Sequence, residues 1–238
     1  MNSFIFTLLF IAQGMIVRPI LFEVEAAPGQ RITKKVTLIN ASSDTLFVRS
    51  HVEHFDQDST GKTLFSSYND NDVIINPVEF SIPPQDEYSV RITVKTPEDM
   101  SKEKWFMLVF QQMPPPLPEY AGIRFVKEVG VPFYLIPIGA MPECDIDTSF
   151  IRKDSLYFRV INRGIRHIRA NGTLKIFKAQ DQKSPILQKD VKGIFLLPQK
   201  AIYRAFPLDT LKKGQYVAKF RVDFHGPYAI EGVKSFMK

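Results

Sequence analysis

The chain holds one cysteine, one tryptophan and four histidines in 238 residues. A lone thiol, Cys144, excludes an intramolecular disulfide, so stability has to come from core burial. No histidine is near it in sequence, and it is read as a passive thiol rather than a nucleophile or an intermolecular link. Long apolar runs are missing too. A membrane-spanning helix needs about 20 apolar residues, and the longest run, residues 4–12, is interrupted by Thr7. There is no Gly-rich phosphate loop, no Gly-x-Ser-x-Gly elbow and no cysteine cluster. His51 and His54 are three apart on a strand, so they point to opposite faces and cannot share one ion without a bulge. Asp56, Asp58, Asp70 and Asp72 read as solvated turns rather than a Ca²⁺ site. No enzyme activity, cofactor or metal is expected.

What is present favours strands. The 20 Phe and 8 Tyr, with many Val and Ile, suit pleated, half-buried surfaces. The 17 prolines break up anything resembling a long helix. Hydrophobic residues make up 45% and charged residues 24%, which is normal for a chain that buries a core. Alternation is clear at Tyr88, Val90, Ile92 and Val94, and Val36, Leu38 and Leu46, Val48 flank a short polar turn. Turns recur every 8 to 12 residues or so, the signature of antiparallel sandwiches. Residues 105–137 read as a strand, a proline-rich loop and a second, unusually long strand over 122–136, part of whose edge is open to a partner. Residues 4–12, followed by Ala12, Gln13 and Gly14, read as an export signal ending near residue 14; the alternatives are a buried first strand or a start further upstream.

Charge divides the chain. Residues 1–138 carry 12 Lys and Arg against 16 Asp and Glu, and residues 139–238 carry 19 against 9, so the overall +6 resolves into −4 and +10. The change falls at Pro137, Ile138, Gly139, Ala140, Met141 and Pro142, a stretch of small residues and proline suited to joining domains. The expected organisation is a signal at 1–14, a first domain at 15–138 and a second at 139–238. The basic residues of the second half are scattered over strands and turns without stacking aromatics or a reading helix, so nucleic acid is not an expected partner.

The order Pro28, Gly29, Gln30; Val36 to Asn40 with Ser42; Pro77 with Phe80, Ile82, Pro83, Pro84; Val90 to Val94; and Phe106 to Phe110 followed by Gln112, Met113, Pro114, Pro115 resembles the amino-terminal immunoglobulin-like domain of the periplasmic pilus-assembly chaperones, the PapD-like family. The resemblance covers roughly residues 16–138. It implies an all-β chain of two immunoglobulin-like β-sandwich domains in tandem, a periplasmic location, and a last strand that completes a subunit lacking its own. The donated side chains would be Ile123, Phe125, Val129, Val131 and Phe133, and the partners pilin-like or other exported subunits, with an outer-membrane usher. Usher-dependent relatives anchor the client's terminal carboxylate on a basic pair. The aligned positions here, near Phe22 or Glu23 and near Val131, are not basic, and Arg18 and Lys127 are the nearest candidates. The alternative reading is a structural or adhesive envelope module, and self-association through the free edge is a further expectation.

Overall fold

The computed structural model describes residues 14–114 and 126–238. Ten strands precede the domain junction: β1 (Met15–Arg18), β2 (Phe22–Ala26), β3 (Arg31–Asn40), β4 (Leu46–Gln57), β5 (Thr63–Ser67), β6 (Val73–Asn76), β7 (Glu79–Ile82), β8 (Glu87–Lys95), β9 (Lys104–Met113) and β10 (Glu128–Pro137). Seven follow: β11 (Cys144–Arg152), β12 (Ser155–Asn162), β13 (Ile168–Lys178), β14 (Leu187–Leu196), β15 (Ala201–Pro207), β16 (Gln215–Asp223) and β17 (Ile230–Met237). The first sandwich stacks a sheet β1-β3-β8-β6 on a sheet β2-β10-β9-β4-β5, with β7 also paired to β4. The second stacks β11-β12-β15 on β14-β13-β16-β17. This is the expected pair of β-sandwiches.

Period-two alternation builds each core. In β3, Ile32, Val36 and Leu38 turn inward, and in β8 so do Val90, Ile92 and Val94; the register sets Val36 against Val90 and Ile32 against Val94. Fully burying one such side chain stabilises by about 1.5–3 kcal/mol. On the inner face of the second sheet Phe106 of β9 and Phe133 of β10, directly opposed across the pair, stack with centroids 5.0 Å apart. In the second sandwich Phe158, Phe206 and Phe220 form the equivalent aromatic centre.

Each sandwich is also tied by the same polar device. Asn40, fully buried at the end of β3, donates its amide to the carbonyls of Asp44, Ile82 and Pro83 at 2.8–3.0 Å and accepts from the Ser42 N–H. Asn162, fully buried at the end of β12, donates to Arg166, Leu196 and Leu197 at 2.8–3.1 Å and accepts from the Gly164 N–H. Two of the three carbonyls in each clamp belong to Ile82-Pro83-Pro84-Gln85 and Leu196-Leu197-Pro198-Gln199, and both glutamines adopt positive φ, 59° and 61°. Gln85 donates to the Ser42 carbonyl and Gln199 to the Gly164 carbonyl, closing the two clamps alike. Two segments with little sequence in common converge because a buried strand end leaves backbone carbonyls that need donors.

Asn162→Ala should lower unfolding stability by about 2–4 kcal/mol, since it strands several buried carbonyls. Urea denaturation followed by tryptophan fluorescence and far-UV circular dichroism measures this, and Asn40→Ala should cost a similar amount.

Candidate functional site

β10 has two unlike edges. One is paired antiparallel with β9 over Glu128 to Leu135. The other is paired in parallel with β2, but only from Phe133 to Pro137. Among the described residues no strand pairs with the outer edge of 128–132. Pro132 stands in this half, and a proline is tolerated in a strand where its missing N–H faces no ladder partner.

The sequence-predicted residues are placed as follows. Val131 and Phe133 are 1% and 0% exposed and pack in the first sandwich's own core, stacked with Phe106 and Phe22, so neither has surface free to lend in this state. Alternation puts all the odd-numbered residues of β10 on one face, and that face is the one its own core requires. Val129 is half-buried at the rim of this core. Ile123 and Phe125 lie outside the described residues, as does the segment 1–13. Lys127 is exposed, its Nζ 2.7 Å from where a Cβ on Gly14 would stand, at the start of β1. Arg18 is exposed at the far end of β1, opposite Thr37. Four strand residues, about 13 Å, separate these positions, so the two cations do not share one point along β1.

The second sandwich treats its edges differently. Lys189 on β14 is opposite the core residue Leu174, Arg204 on β15 is opposite Phe158, and Lys234 on β17 is opposite Ala218. Directly opposed residues share a face, so all three cations point to the core side of an edge strand. An inward charge resists pairing with a foreign strand, which would bury it. Arg204 pays visibly: its Nε is buried without a hydrogen-bond partner, and burial lowers its guanidinium pKa. β11 carries a bulge between Ile146 and Thr148. The open half of β10 has neither device; its inward residues are Val129 and Val131.

The two sandwiches meet over a third apolar cluster of Phe55, Tyr134, Ile136, Ala140 and Leu197, flanked by Trp105, Met107 and Phe195. Its source is the other face of β10, so this strand is buried on both faces in its second half. Gln57 crosses the junction, donating to the Phe195 carbonyl at 2.8 Å and accepting from the Leu197 N–H at 3.4 Å. Beside it Lys200 pairs with Asp56 at 2.7 Å, and the Tyr203 N–H reaches the Ser59 carbonyl at 3.2 Å. The β4–β5 hairpin thereby leans on β15.

At the other side of the cluster is a charged network that sequence reasoning missed. Glu103, fully buried, accepts the His167 backbone N–H at 2.8 Å and faces its Nδ1 at 2.9 and 3.0 Å. His167 Nε2 is 3.1 Å from Glu23 Oε1, which also pairs with Arg169 at 3.2 Å. The Arg169 guanidinium in turn lies 5.0 Å from the Phe195 ring centroid. Burial alone would raise the Glu23 carboxyl; His167 and Arg169 outweigh it and hold the group below the usual range. In sequence His167 is isolated, because its partners are 64 and 144 positions away. Only the pairing of β2 with β10 brings Glu23 to it.

The remaining candidates are structural. Asp56 pairs with Lys200, Asp58 caps its own turn through Thr60 and Lys62, and Asp70 and Asp72 both hold Lys104 at 2.7 and 2.6 Å. No group of three His, Cys, Asp or Glu able to hold a metal ion occurs among the described residues. Cys144 is buried, which pushes its thiol up to about 12.

The model of pili and flagellar-assembly chaperones, PapD N-terminal domain, matches residues 24–127. Among solved structures, the class 5 fimbriae chaperone CfaA is 13% identical, with a TM-score of 0.58 over 93% of this chain and 99% of that one. The CsuC-CsuE chaperone-tip adhesion subunit pre-assembly complex from the archaic chaperone-usher Csu pili of Acinetobacter baumannii gives 14% and 0.58, over 93% and 97%. The Salmonella enterica SafA pilin in complex with the SafB chaperone gives 14% and 0.51, over 93% and 96%. At these identities the likeness speaks for the fold. No curated protein sequence matches the chain.

His167→Ala should destabilise the protein by about 3–5 kcal/mol by leaving Glu103 buried and unpaired. Glu103→Leu combined with His167→Phe should recover most of that loss, measured by denaturant midpoints. The Cys144 thiol should not react with Ellman's reagent in the native protein at pH 8 and should react fully once urea unfolds it.

Proposed function

We propose that this chain is a periplasmic, non-enzymatic chaperone of the PapD-like kind, whose N-terminal-domain model matches residues 24–127, and that it holds exported pilus or other envelope subunits by strand addition along β10. One observation carries the reading: among the described residues the outer edge of 128–132 is unpaired and carries neither an inward cation nor a bulge, beside a β2 that occupies the same edge from Phe133 onward. An extended client segment would take the backbone N–H and C=O groups that β2 leaves free, and main-chain hydrogen bonds would give it affinity with little demand on sequence. Its chain would end where β2 begins.

Val129 sits where the client's side chains would enter, and Ile123 and Phe125 would continue the donated row on the N-terminal side. Val131 and Phe133 take part by shaping the floor from within the core. Arg18 and Lys127, at the two ends of β1, would meet a client as separate cations rather than as one carboxylate clamp.

Val129→Lys transfers to β10 the inward cation found on β14, β15 and β17. Expressed in a bacterial periplasm with its native neighbouring genes, the wild type should copurify with a stoichiometric polypeptide visible by intact-mass spectrometry. Val129→Lys should reduce that capture by about tenfold or more, the cost of burying an unpaired charge, while leaving the circular dichroism melting curve within a few degrees. Unchanged capture in the variant refutes strand addition at this edge. A wild-type monomer without a partner favours the structural-module reading, and a self-dimer lost in Val129→Lys assigns the edge to a second copy.

A further inference from the structure

The His167 cluster requires a particular number of protons. Nδ1 is 2.9 and 3.0 Å from the two Glu103 oxygens, and Nε2 is 3.1 Å from Glu23 Oε1. An imidazole nitrogen and a carboxylate oxygen at such distances form a hydrogen bond only with a proton between them. Two contacts need two protons among one imidazole and two carboxylates, whichever atoms carry them. Apart in water above about pH 6.5, the same three groups hold only one. With His167 3% exposed and the Glu103 side chain at 0%, little water is at hand to replace a missing proton.

We propose that this cluster is a proton-linked latch between the two domains, closed while it holds two protons and released when it holds one. Glu23 and Glu103 belong to the first sandwich, His167 to the second, so every hydrogen bond in the row crosses the junction. With one proton, a nitrogen lone pair faces a carboxylate in a dry site, and the domains relieve the repulsion by parting there.

The surrounding groups agree with this assignment. Arg169, on the strand that His167 precedes, keeps Glu23 ionised. Tyr134 on β10 stacks on the imidazole at 4.3 Å, and burial pushes its phenol up to about 12, so it stays neutral. Phe195 on β14 closes the ring's other flank at 5.5 Å. Arg166 donates through Nη1 to the Ala140 carbonyl at 3.3 Å while its Nε is buried without a partner, and Lys104, next to Glu103 in the chain, is held by Asp70 and Asp72. Glu103 and Glu23 are thus the acceptors His167 answers to; Arg169 shares Glu23 with it, and among the described residues no cation other than His167 has a hydrogen bond or ion pair to Glu103.

The sign follows from linkage. The docked row needs one proton more than the parted groups hold, so docking strengthens as pH falls and weakens as pH rises. The test uses the full chain with Tyr88→Cys and Val233→Cys, both exposed and one in each domain, labelled as a fluorescence donor–acceptor pair; buried Cys144 stays unlabelled. Interdomain energy transfer is followed from about pH 5.5 to about pH 9.5 alongside far-UV circular dichroism. The expected result is a broadening distance distribution with a slope of about one proton and an unchanged β signal, abolished in His167→Gln. A distribution flat with pH, or an equal pH response in His167→Gln, overturns the latch. Should His167→Gln fail to fold, Glu23→Gln, at the half-exposed end of the row, has to move the onset; an unmoved onset overturns it too. No client is needed, so the result stands apart from the strand-addition reading.

Discussion

An open sandwich must end each of its sheets in a strand whose outer N–H and C=O groups have no ladder partner, and how those edges are treated organises this molecule. In the second domain an inward Lys or Arg occupies each of β14, β15 and β17, and a bulge bends β11. This accounts for part of the basic excess of residues 139–238: some of those cations blunt edges instead of contacting an anionic partner. In the first domain β2 pairs with the second half of β10 and stops, so the stretch of β10 left unpaired by the described strands is short, defined and next to a strand that already shows how a parallel neighbour fits.

The junction depends on β10 being buried twice. Its odd-numbered residues fill the first core, while Tyr134 and Ile136 on the opposite face form the floor on which the second domain rests. A strand committed on both faces is stiff. The register of its free half is therefore fixed by the domain interface as much as by β9. The ionic row through Glu103 and His167 and the amide of Gln57 flank that apolar floor, so polar and apolar contacts specify the same docking.

Much of the fold was legible in the chain. Period-two alternation in β3, β4 and β8, with turn residues between, marked the strands. Side-chain direction was legible as well; its meaning was not. Val131 and Phe133 lie on the predicted face, but periodicity cannot tell a face reserved for a partner from one needed at home, since both demand the same apolar residues. The acidic loop residues looked free because their cations, Lys104 and Lys200, are 32 to 144 positions away. Asn162, two residues before Gly164, shapes a turn. Its larger task was hidden because the carbonyls it satisfies come from a segment whose only sequence mark is a Pro-Gln pair.

The two asparagine clamps bear on how the chain reaches its structure. Each fastens a strand end to carbonyls 42–43 or 34–35 residues further on. Such contacts carry a loop-closure cost before they return anything. They can form only once the intervening strands have collapsed into place, so each clamp closes late and closes one sandwich alone. Two separate late steps make each half its own cooperative unit, able to mature in turn as the chain is made.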